Sequence, residues 1–279
     1  GGEDGTLRIW EVASGQQVAQ LDGHEGKVSA VGFSPDGEQI VSGGEDGTVR
    51  VWEVAGGQQV AQLDGHEGEV SAVGFSPDGR RIVSVGEDGT VRIWEVAGGT
   101  QLTPLDGHVG RVYSLEFSPN GLQIVSGGKD GTLSIWEVAG GQQRAQLKGH
   151  EGKVTSVRFS PDGQQLVSGG EDGMVRIWDV ARSQQVTEFN HGAPVWAVDF
   201  SPNGRQIVSG GEDGMVRLWD IARSRQVTAS NHGAPVLTVD FSPNGREIVL
   251  GTKNGEVRVW DAATNAATEV PSSGGAVVS

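Results

Sequence analysis

Cysteine is absent from the 279 residues, and this absence excludes several chemistries at once. The chain can form no disulfide bond, no thiolate metal site and no cysteine nucleophile. A chain without disulfides is compatible with the reducing cytosol, so we expect a cytoplasmic location. Long apolar runs are also absent: no segment approaches the ~18 consecutive apolar residues of a membrane-spanning helix. No secretory signal is visible, and the sequence predicts no membrane partner.

Basic residues are scarce, since 21 Lys and Arg stand against 36 Asp and Glu and the formal net charge is −15. Proteins that bind nucleic acid draw much of their affinity from Lys and Arg on phosphate groups. The charge therefore argues against a nucleic-acid partner. An acidic surface serves solubility in the first instance, and it can also steer a basic partner toward the protein.

Glycine is abundant, and its 46 residues recur at fixed positions instead of filling low-complexity stretches. Residues 43–54 read GGEDGTVRVWEV, which places an Asp-Gly turn before a short alternating strand. Such a pair is a strong hairpin signal, because the tight turn needs a positive φ that Gly47 adopts at little cost. The same segment opens the chain at Gly1 and recurs with small changes, so the sequence predicts a repeated β-hairpin.

Tryptophan marks the period of the repeat. Seven of the eight Trp residues are spaced by 42, 42, 42, 42, 41 and 41 residues, and only Trp196 lies outside the series. Each complete unit contains four short apolar runs separated by turns, such as Ser34-Pro35-Asp36-Gly37. Four strands in about 42 residues are typical of one propeller blade. No helix is predicted.

The paired positions of His and Trp resemble the WD40 repeat. In six units a His precedes the Trp by 28 residues, and Asp or Glu follows the Trp. The pairs are His24 and Trp52, His66 and Trp94, His108 and Trp136, His150 and Trp178, His191 and Trp219, and His232 and Trp260. The resemblance covers nearly the whole chain and implies an all-β, seven-bladed β-propeller formed by one domain, residues 1–279.

In that family each sequence repeat supplies the outer strand of one blade and the inner three of the next. The resemblance therefore implies six complete four-stranded blades in residues 23–261. Residues 1–22 would supply the outer strands of a closing blade, and residues 262–279 the last outer strand and a closing segment. This blade is predicted to be assembled from both termini and to be incomplete.

Two alignments of the closing segment remain open. Residues 274–279 resemble a first strand, whereas Val277-Val278-Ser279 followed by Gly1 resembles a second strand. A monomeric ring is the expectation, and a dimer joined through the incomplete blade is the alternative. Because the chain starts inside a repeat, we expect it to belong to a longer protein.

The resemblance also implies that each His joins a hydrogen-bonded tetrad with Ser, Asp and Trp. The five complete sets are His24, Ser42, Asp46 and Trp52; His66, Ser84, Asp88 and Trp94; His108, Ser126, Asp130 and Trp136; His150, Ser168, Asp172 and Trp178; and His191, Ser209, Asp213 and Trp219. Ser, His and Asp match a hydrolase triad by type. Residues present in every repeat are nevertheless expected to serve the repeat. We therefore predict structural tetrads, no catalytic residues and no cofactor.

The sixth unit departs from the pattern, because Leu250 replaces Ser and Asn254 replaces Asp. Its tetrad is predicted to be broken. The first interpretation is that this blade is less stable because it lies beside the incomplete closing blade. The second is that its surface has been altered for a partner. The Glu-Asp-Gly turns offer too few oxygens for a Ca²⁺ site of roughly six to eight ligands, so no metal site is predicted.

Positions at which the repeats differ are the candidates for partner binding. After the first Val of the inner strand stand Ser29, Ser71, Tyr113, Thr155, Trp196 and Leu237. The resemblance places this position at the channel rim, so the three large side chains predict an apolar contact patch. Local packing of these side chains on one another is the alternative. On the same face the resemblance places Arg111, Lys129 and Lys253.

These features favour a rigid, non-catalytic platform for a protein or peptide partner. The near-identical repeats resemble bacterial WD40 arrays attached to signalling proteins, which implies a sensor or recognition role. An amplified or designed repeat without a selected ligand is the alternative. An enzyme is the reading that the sequence favours least.

Overall fold

The computed structural model describes residues 1–11, 14, 16–102, 105–264 and 266–270. Within these ranges every element is a strand, and the strands form seven antiparallel sheets. Six of the sheets have four strands in chain order, and we number them blades 1 to 6. The N-terminal sheet has two strands, Thr6–Glu11 and Gln16–Asp22.

The four strands of each blade are called first, second, third and outer. The first strands are Val28–Phe33, Val70–Phe75, Val112–Phe117, Val154–Phe159, Val195–Phe200 and Val236–Phe241. The second strands are Gln39–Gly44, Arg81–Gly86, Gln123–Gly128, Gln165–Gly170, Gln206–Gly211 and Glu247–Thr252. The third strands are Thr48–Glu53, Thr90–Glu95, Thr132–Glu137, Met174–Asp179, Met215–Asp220 and Val257–Asp261. The outer strands are Gln59–Asp64, Leu105–Asp106, Gln143–Lys148, Gln184–Asn190, Arg225–Asn231 and Ala266–Val270.

This arrangement confirms the predicted all-β propeller with six complete blades and an incomplete seventh. The first strands of successive blades contact one another, so they line the centre of the ring. The N-terminal sheet represents the seventh blade. The predicted contribution of residues 271–279 to that blade lies outside the described residues.

The hydrophobic core is divided into clusters that lie between neighbouring blades. The cluster between blades 1 and 2 joins Val41, Val49 and Leu63 of one blade to Val70 and Ile82 of the next. Alternation along each strand explains this, because one face of a blade packs on the preceding blade and the other face on the following one. Each fully buried Val, Leu or Ile contributes about 1.5–3 kcal/mol, so face-to-face stacking is the main source of stability.

Exposed apolar side chains lie on the incomplete blade and on the two blade faces beside it. Val249 of blade 6 is 39% exposed, whereas the equivalent Val41 of blade 1 is fully buried. Phe33 of blade 1 is 61% exposed and Trp10 of the N-terminal sheet 44%. Among the described residues, these faces lack the neighbouring strands that cover their equivalents elsewhere in the ring.

A β-bulge interrupts the pairing of the first and second strands in all six blades. In blade 3, Val112 pairs with Gly128 and Ser114 with Gly127, so Tyr113 is the extra residue. The same register places Trp196 and Leu237 at the bulges of blades 5 and 6. A bulge changes the direction of a side chain and increases the local twist. In this ring the bulge residue is also the position at which the repeats carry side chains of very different size.

Candidate functional site

In blade 1 four polar side chains meet at one end of the sheet. His24 precedes the first strand, Ser42 lies on the second, Asp46 lies in the following turn and Trp52 lies on the third. Trp52 Nε1 donates to Ser42 Oγ at 2.8 Å, and Ser42 Oγ lies 2.7 Å from His24 Nε2. His24 Nδ1 lies 3.0 Å from Asp46 Oδ1. With Ser42 donating to Nε2 and Nδ1–H donating to the carboxylate, every buried donor has an acceptor.

Blades 2, 3 and 4 repeat this network closely. The distance between His Nε2 and Ser Oγ is 2.8 Å in each, and the Trp Nε1 donor lies 2.8–2.9 Å from Ser Oγ. The sets are His66, Ser84, Asp88 and Trp94; His108, Ser126, Asp130 and Trp136; and His150, Ser168, Asp172 and Trp178. The structure therefore brings together the side chains that the sequence grouped in these blades.

The electrostatics of the network keep the imidazole neutral. Burial lowers the pKa of His24, His66 and His150, and it outweighs the neighbouring carboxylates, which raise it. Burial raises the pKa of Asp46, but the donors Glu25 N and His24 outweigh burial and hold this pKa below its ordinary value. A neutral imidazole has one acceptor nitrogen, and the Ser hydroxyl needs that acceptor.

The geometry of Ser, His and Asp resembles a hydrolase triad, but Ser42 has no exposed surface. Its hydroxyl already accepts from Trp52 and lies against His24. A nucleophile must reach the substrate carbonyl. A buried Ser that is bonded on both sides cannot do so, and the network can act only as a structural tie between the strands.

An arginine joins the network in four blades, which the sequence interpretation missed. It lies four residues after the tetrad Asp and two before the Trp. The pairs are Arg50 with Asp46 at 3.4 Å, Arg92 with Asp88 at 3.4 Å, Arg176 with Asp172 at 2.7 Å and Arg217 with Asp213 at 2.9 Å. The constant spacing of Asp and Arg in the repeats was the signal that pointed to this pair.

Blade 5 keeps the network with the imidazole turned over. His191 Nδ1 lies 2.8 Å from Ser209 Oγ, and Nε2 lies 3.3 Å from Asp213 Oδ1. The segment before this His is one residue shorter than in blades 1 to 4, and His191 N donates to Gly173 O at 2.9 Å. Burial, assisted by the charge of Arg217, lowers the pKa of His191 to about 4, so this imidazole is also neutral.

In blade 6 the network is absent within the described residues. Neither ring nitrogen of His232 has a hydrogen-bond partner there, although the side chain is buried. Besides Leu250 and Asn254, a third change contributes: Thr252 stands where the other blades have Gly. In blade 1 a Cβ at this Gly44 would lie 2.4 Å from His24 Nδ1. A side chain at position 252 therefore occupies the space that the tetrad requires.

The end of the ring that carries the His residues and the Glu-Asp-Gly turns is called the histidine end. There, Arg111, Tyr113, Lys153 and Trp196 form a row across blades 3, 4 and 5, which we call the aromatic–cation seam. Arg111 Cζ lies 5.4 Å from the Tyr113 ring centre. Lys153 Nζ lies 5.6 Å from the Tyr113 ring and 5.8 Å from the Trp196 ring. These distances are within the range of cation–π attraction.

Carboxylates pair with the two cations of the seam and with the indole of Trp196. Glu69 and Glu87 pair with Arg111 at 2.8 and 3.2 Å, and Glu171 pairs with Lys153 at 3.4 Å. Trp196 Nε1 donates to Glu212 at 2.6 Å. The sequence interpretation missed Lys153, whose signal is its place in the same repeat position as Arg111. The two rings remain half-buried.

The other predicted partner residues lie beside the seam or on the next blade. Lys129 is exposed next to Arg111, whose carbonyl accepts from Lys129 N at 2.8 Å. Leu237 is half-buried at the bulge of blade 6, and Lys253 is exposed in the turn of that blade. Neither lysine has an ion pair among the described residues. The structure thus connects Arg111, Tyr113 and Trp196 but does not join Leu237 or Lys253 to them.

Two family models match the chain. The model described as IFT122 first beta-propeller matches residues 111–279, more than half of the chain. The chain belongs to the WD40-repeat β-propeller family. A model described as WD domain, G-beta repeat matches residues 15–53 and 57–95 of this WD40 propeller. No curated protein sequence matches it.

Membership of the family carries a general consequence for function. WD40 propeller domains generally mediate protein–protein interactions, and they are generally non-catalytic. The resemblance inferred from the His and Trp spacing is confirmed by these matches. The fully buried Ser of the tetrads agrees with that general behaviour.

This WD40 propeller also holds charged side chains between its first strands. Glu116 accepts from Phe159 N, Asp199 Oδ2 accepts from Phe241 N at 2.8 Å, and Arg158 Nε lies 3.9 Å from Glu116. Burial raises the pKa of Glu116 to about 7, and the charge of Arg158 opposes it. Burial likewise raises the pKa of Asp199 to about 6 and that of Asp240 in the same direction. These groups tie neighbouring blades together.

The described residues contain neither a cluster of metal-binding side chains nor a membrane-spanning helix. No group of three or more His, Cys, Asp or Glu side chains among the described residues could hold a metal ion. No helix in those residues is long and apolar enough to cross a membrane.

Proposed function

We propose that this WD40 propeller is a non-catalytic platform that binds a protein or peptide at the histidine end. The observation that carries the proposal is the aromatic–cation seam. It places a half-exposed Tyr and Trp with two cations across three adjacent blades. Tyr, Trp and Arg are the residue types that most often dominate binding energy at protein interfaces.

The seam is held in place before any partner arrives. The bulges fix the backbone at Tyr113 and Trp196, and the carboxylates of Glu171 and Glu212 orient Lys153 and the Trp196 indole. Side chains that are already ordered lose less conformational entropy on binding. A rigid ring that displays such side chains is suited to selective recognition.

The proposal extends to the setting of the domain. The absence of cysteine supports a cytoplasmic location, and the regular repeats support a recognition arm of a larger signalling protein. A monomeric ring is part of the same proposal. Light scattering at two protein concentrations tests this last point, because a dimer joined through the Val249 and Phe33 faces would double the measured mass.

Affinity capture with paired variants tests the proposed function. The propeller carrying Tyr113→Ala and Trp196→Ala is compared with a control carrying Val60→Ala and Val186→Ala, whose side chains are 47% and 55% exposed on outer strands. We expect the control to recover the same partner as the wild type and the aromatic variant to lose at least ~10-fold. Equal recovery of the partner by all three proteins would contradict the proposal that this face binds it.

A further inference from the structure

The histidine end is divided by charge, and blades 1 and 2 form its acidic half. Besides the tetrad carboxylates Asp46 and Asp88, five glutamates lie there: Glu25, Glu45, Glu67, Glu69 and Glu87. Glu69 and Glu87 pair with Arg111, but the other three have no ion pair among the described residues. All three are exposed. Apart from Arg50 and Arg92, which pair with the tetrad carboxylates, Lys27 is the single cation that the described residues of these two blades place at this end, so a negative surplus faces solvent.

Blades 5 and 6 carry uncharged loops before their first strands, although Glu212, Asp213 and Lys253 are exposed in later turns, and we call these two blades the apolar half. At the positions equivalent to Glu25 and Glu67 they carry Gly192 and Gly233. At the position equivalent to Glu69 they carry prolines, Pro194 and Pro235. These loops, which have lost their charged side chains, lie immediately before the bulges that present Trp196 and Leu237. In blades 5 and 6 these uncharged loops occur together with a large side chain at the bulge, whereas blades 1 and 2 combine charged loops with Ser.

Two donor atoms without a hydrogen-bond partner among the described residues lie where the acidic half meets blade 3. In blade 1, Ser29 Oγ donates to Glu69 Oε1 at 2.5 Å. One blade further on, Ser71 holds the place of Ser29, and Arg111 holds the place of Glu69. Arginine has no acceptor, and both Ser71 Oγ and Arg111 Nε are buried with no hydrogen-bond partner among the described residues. Because both residues are only half-buried, a shift of either side chain on binding would let a ligand oxygen, such as a main-chain carbonyl, accept from these donors.

We propose that the partner segment is an extended peptide with Lys or Arg side chains at one end and an apolar side chain at the other. The basic end lies on the acidic half, a main-chain carbonyl faces Ser71 and Arg111, and the apolar side chain packs on Trp196 and Leu237. This assignment rests on the proposed function and adds the chemistry of the partner. Charge complementarity gives it a defined direction across the ring.

Synthetic peptides of ten residues serve as the probes. The first carries four Lys or Arg at one end and Phe-Leu at the other. In the second peptide Glu replaces the basic residues, and in the third Ser replaces Phe-Leu. Binding is measured by fluorescence anisotropy at low and at physiological salt. The protein variant is Glu25→Gln with Glu67→Gln, and the charge-matched control is Glu38→Gln with Glu53→Gln, which lie at the opposite end of the blade.

We expect the first peptide to bind the wild type and the control equally. The Glu25→Gln and Glu67→Gln variant should bind it about 3–10-fold more weakly at low salt, because exposed charges contribute modestly and are screened. The second and third peptides should bind at least ~10-fold more weakly than the first. Binding of the Glu-containing peptide as tightly as the first, or no binding of the first, overturns the assignment.

Failure of the inference is distinguishable from failure of the proposed function. A captured partner that the aromatic variant loses, but that the basic and apolar peptide does not displace, would leave the platform standing and refute the partner chemistry. A partner captured equally by the aromatic variant would refute the platform itself.

Discussion

At the glycine that ends the second strand in blades 1, 3, 4 and 5, the backbone passes so close to the histidine that a side chain has no room. A Cβ at Gly44 would lie 2.4 Å from His24 Nδ1, and one at Gly128 would lie at the same distance from His108 Nδ1. The close approach brings the imidazole between Ser and Asp. The tetrad therefore requires glycine at this position, because a residue without a side chain leaves room for the imidazole.

The variant Gly44→Ala tests this role of glycine. We expect it to lower the free energy of unfolding by about 1–3 kcal/mol, because the new methyl group must displace the imidazole from its partners. Gly32→Ala is the matched control. Its Cβ would meet Val41 at an ordinary 3.6 Å, so its effect should stay within about 1 kcal/mol. Urea unfolding measures both variants, and equal losses would refute the role assigned to Gly44.

Blade 6 shows how single positions combine within one element. Leu250 is fully buried in the apolar cluster that contains Val239 and Trp260, so this blade has exchanged a polar tie for apolar packing. Thr252 and Asn254 bond to each other instead of to His232. The three substitutions form one set, since each of them removes a different requirement of the tetrad.

A mutant cycle tests whether the three positions act together. Leu250→Ser alone should destabilise by about 2–5 kcal/mol, because it removes a buried side chain and adds a hydroxyl without partners. In the background of Thr252→Gly and Asn254→Asp, the same substitution should cost at least ~1 kcal/mol less, because the tetrad can then form. The measurement is chemical unfolding of all four proteins. Additive free energies would contradict the coupling.

The strands and their bulges show which parts of the structure the sequence could predict and which it could not. The spacing of His24 and Trp52 and the alternation along Thr48–Glu53 were sufficient for the fold, because they repeat six times. The bulges at Tyr113 and Trp196 were beyond the reach of the sequence, since a bulge is a property of strand register. Lys153 was overlooked for a related reason: its contacts with two rings join different blades.

At the scale of the whole ring, two sets of titratable groups have opposite effects on stability as pH changes. Burial lowers the pKa of four tetrad histidines, so their stabilising contribution is present above ~6.5 and is lost as pH falls below it; they are His24, His66, His150 and His191. The carboxyl groups of Glu116 and Asp199 have pKa values raised to about 7 and about 6. Their contribution is present below ~4 and is lost as pH rises through those values.

Glu116→Gln should therefore change the pH profile of stability in a defined direction. Between pH 5 and 8 the ionisation of Glu116 lowers the stability of the wild type, because the charges of Asp199 and Asp240 oppose it and only that of Arg158 favours it. The variant avoids that cost, so its stability relative to the wild type should rise with pH. Exposed Glu53→Gln is the control. Thermal unfolding across this pH range measures the difference, and parallel profiles for wild type and Glu116→Gln would contradict the account.

The ring as a whole offers a partner three kinds of surface: the histidine end, the opposite end with exposed Leu122, and the outer strands. Among the residues that the structure describes, the histidine end alone joins rings, cations and carboxylates in one connected row. The central claim is that a partner docks there. It follows that bound partner should shield this row and leave the other two surfaces accessible.

Hydroxyl-radical footprinting of the propeller with its captured partner tests this claim most directly. The account predicts that oxidation of Tyr113, Trp196 and Leu237 falls at least ~3-fold on binding, while Leu122, Val60 and Val186 react as in the free protein. Protection of Leu122 or of the outer-strand valines, with Tyr113 and Trp196 unchanged, would contradict it.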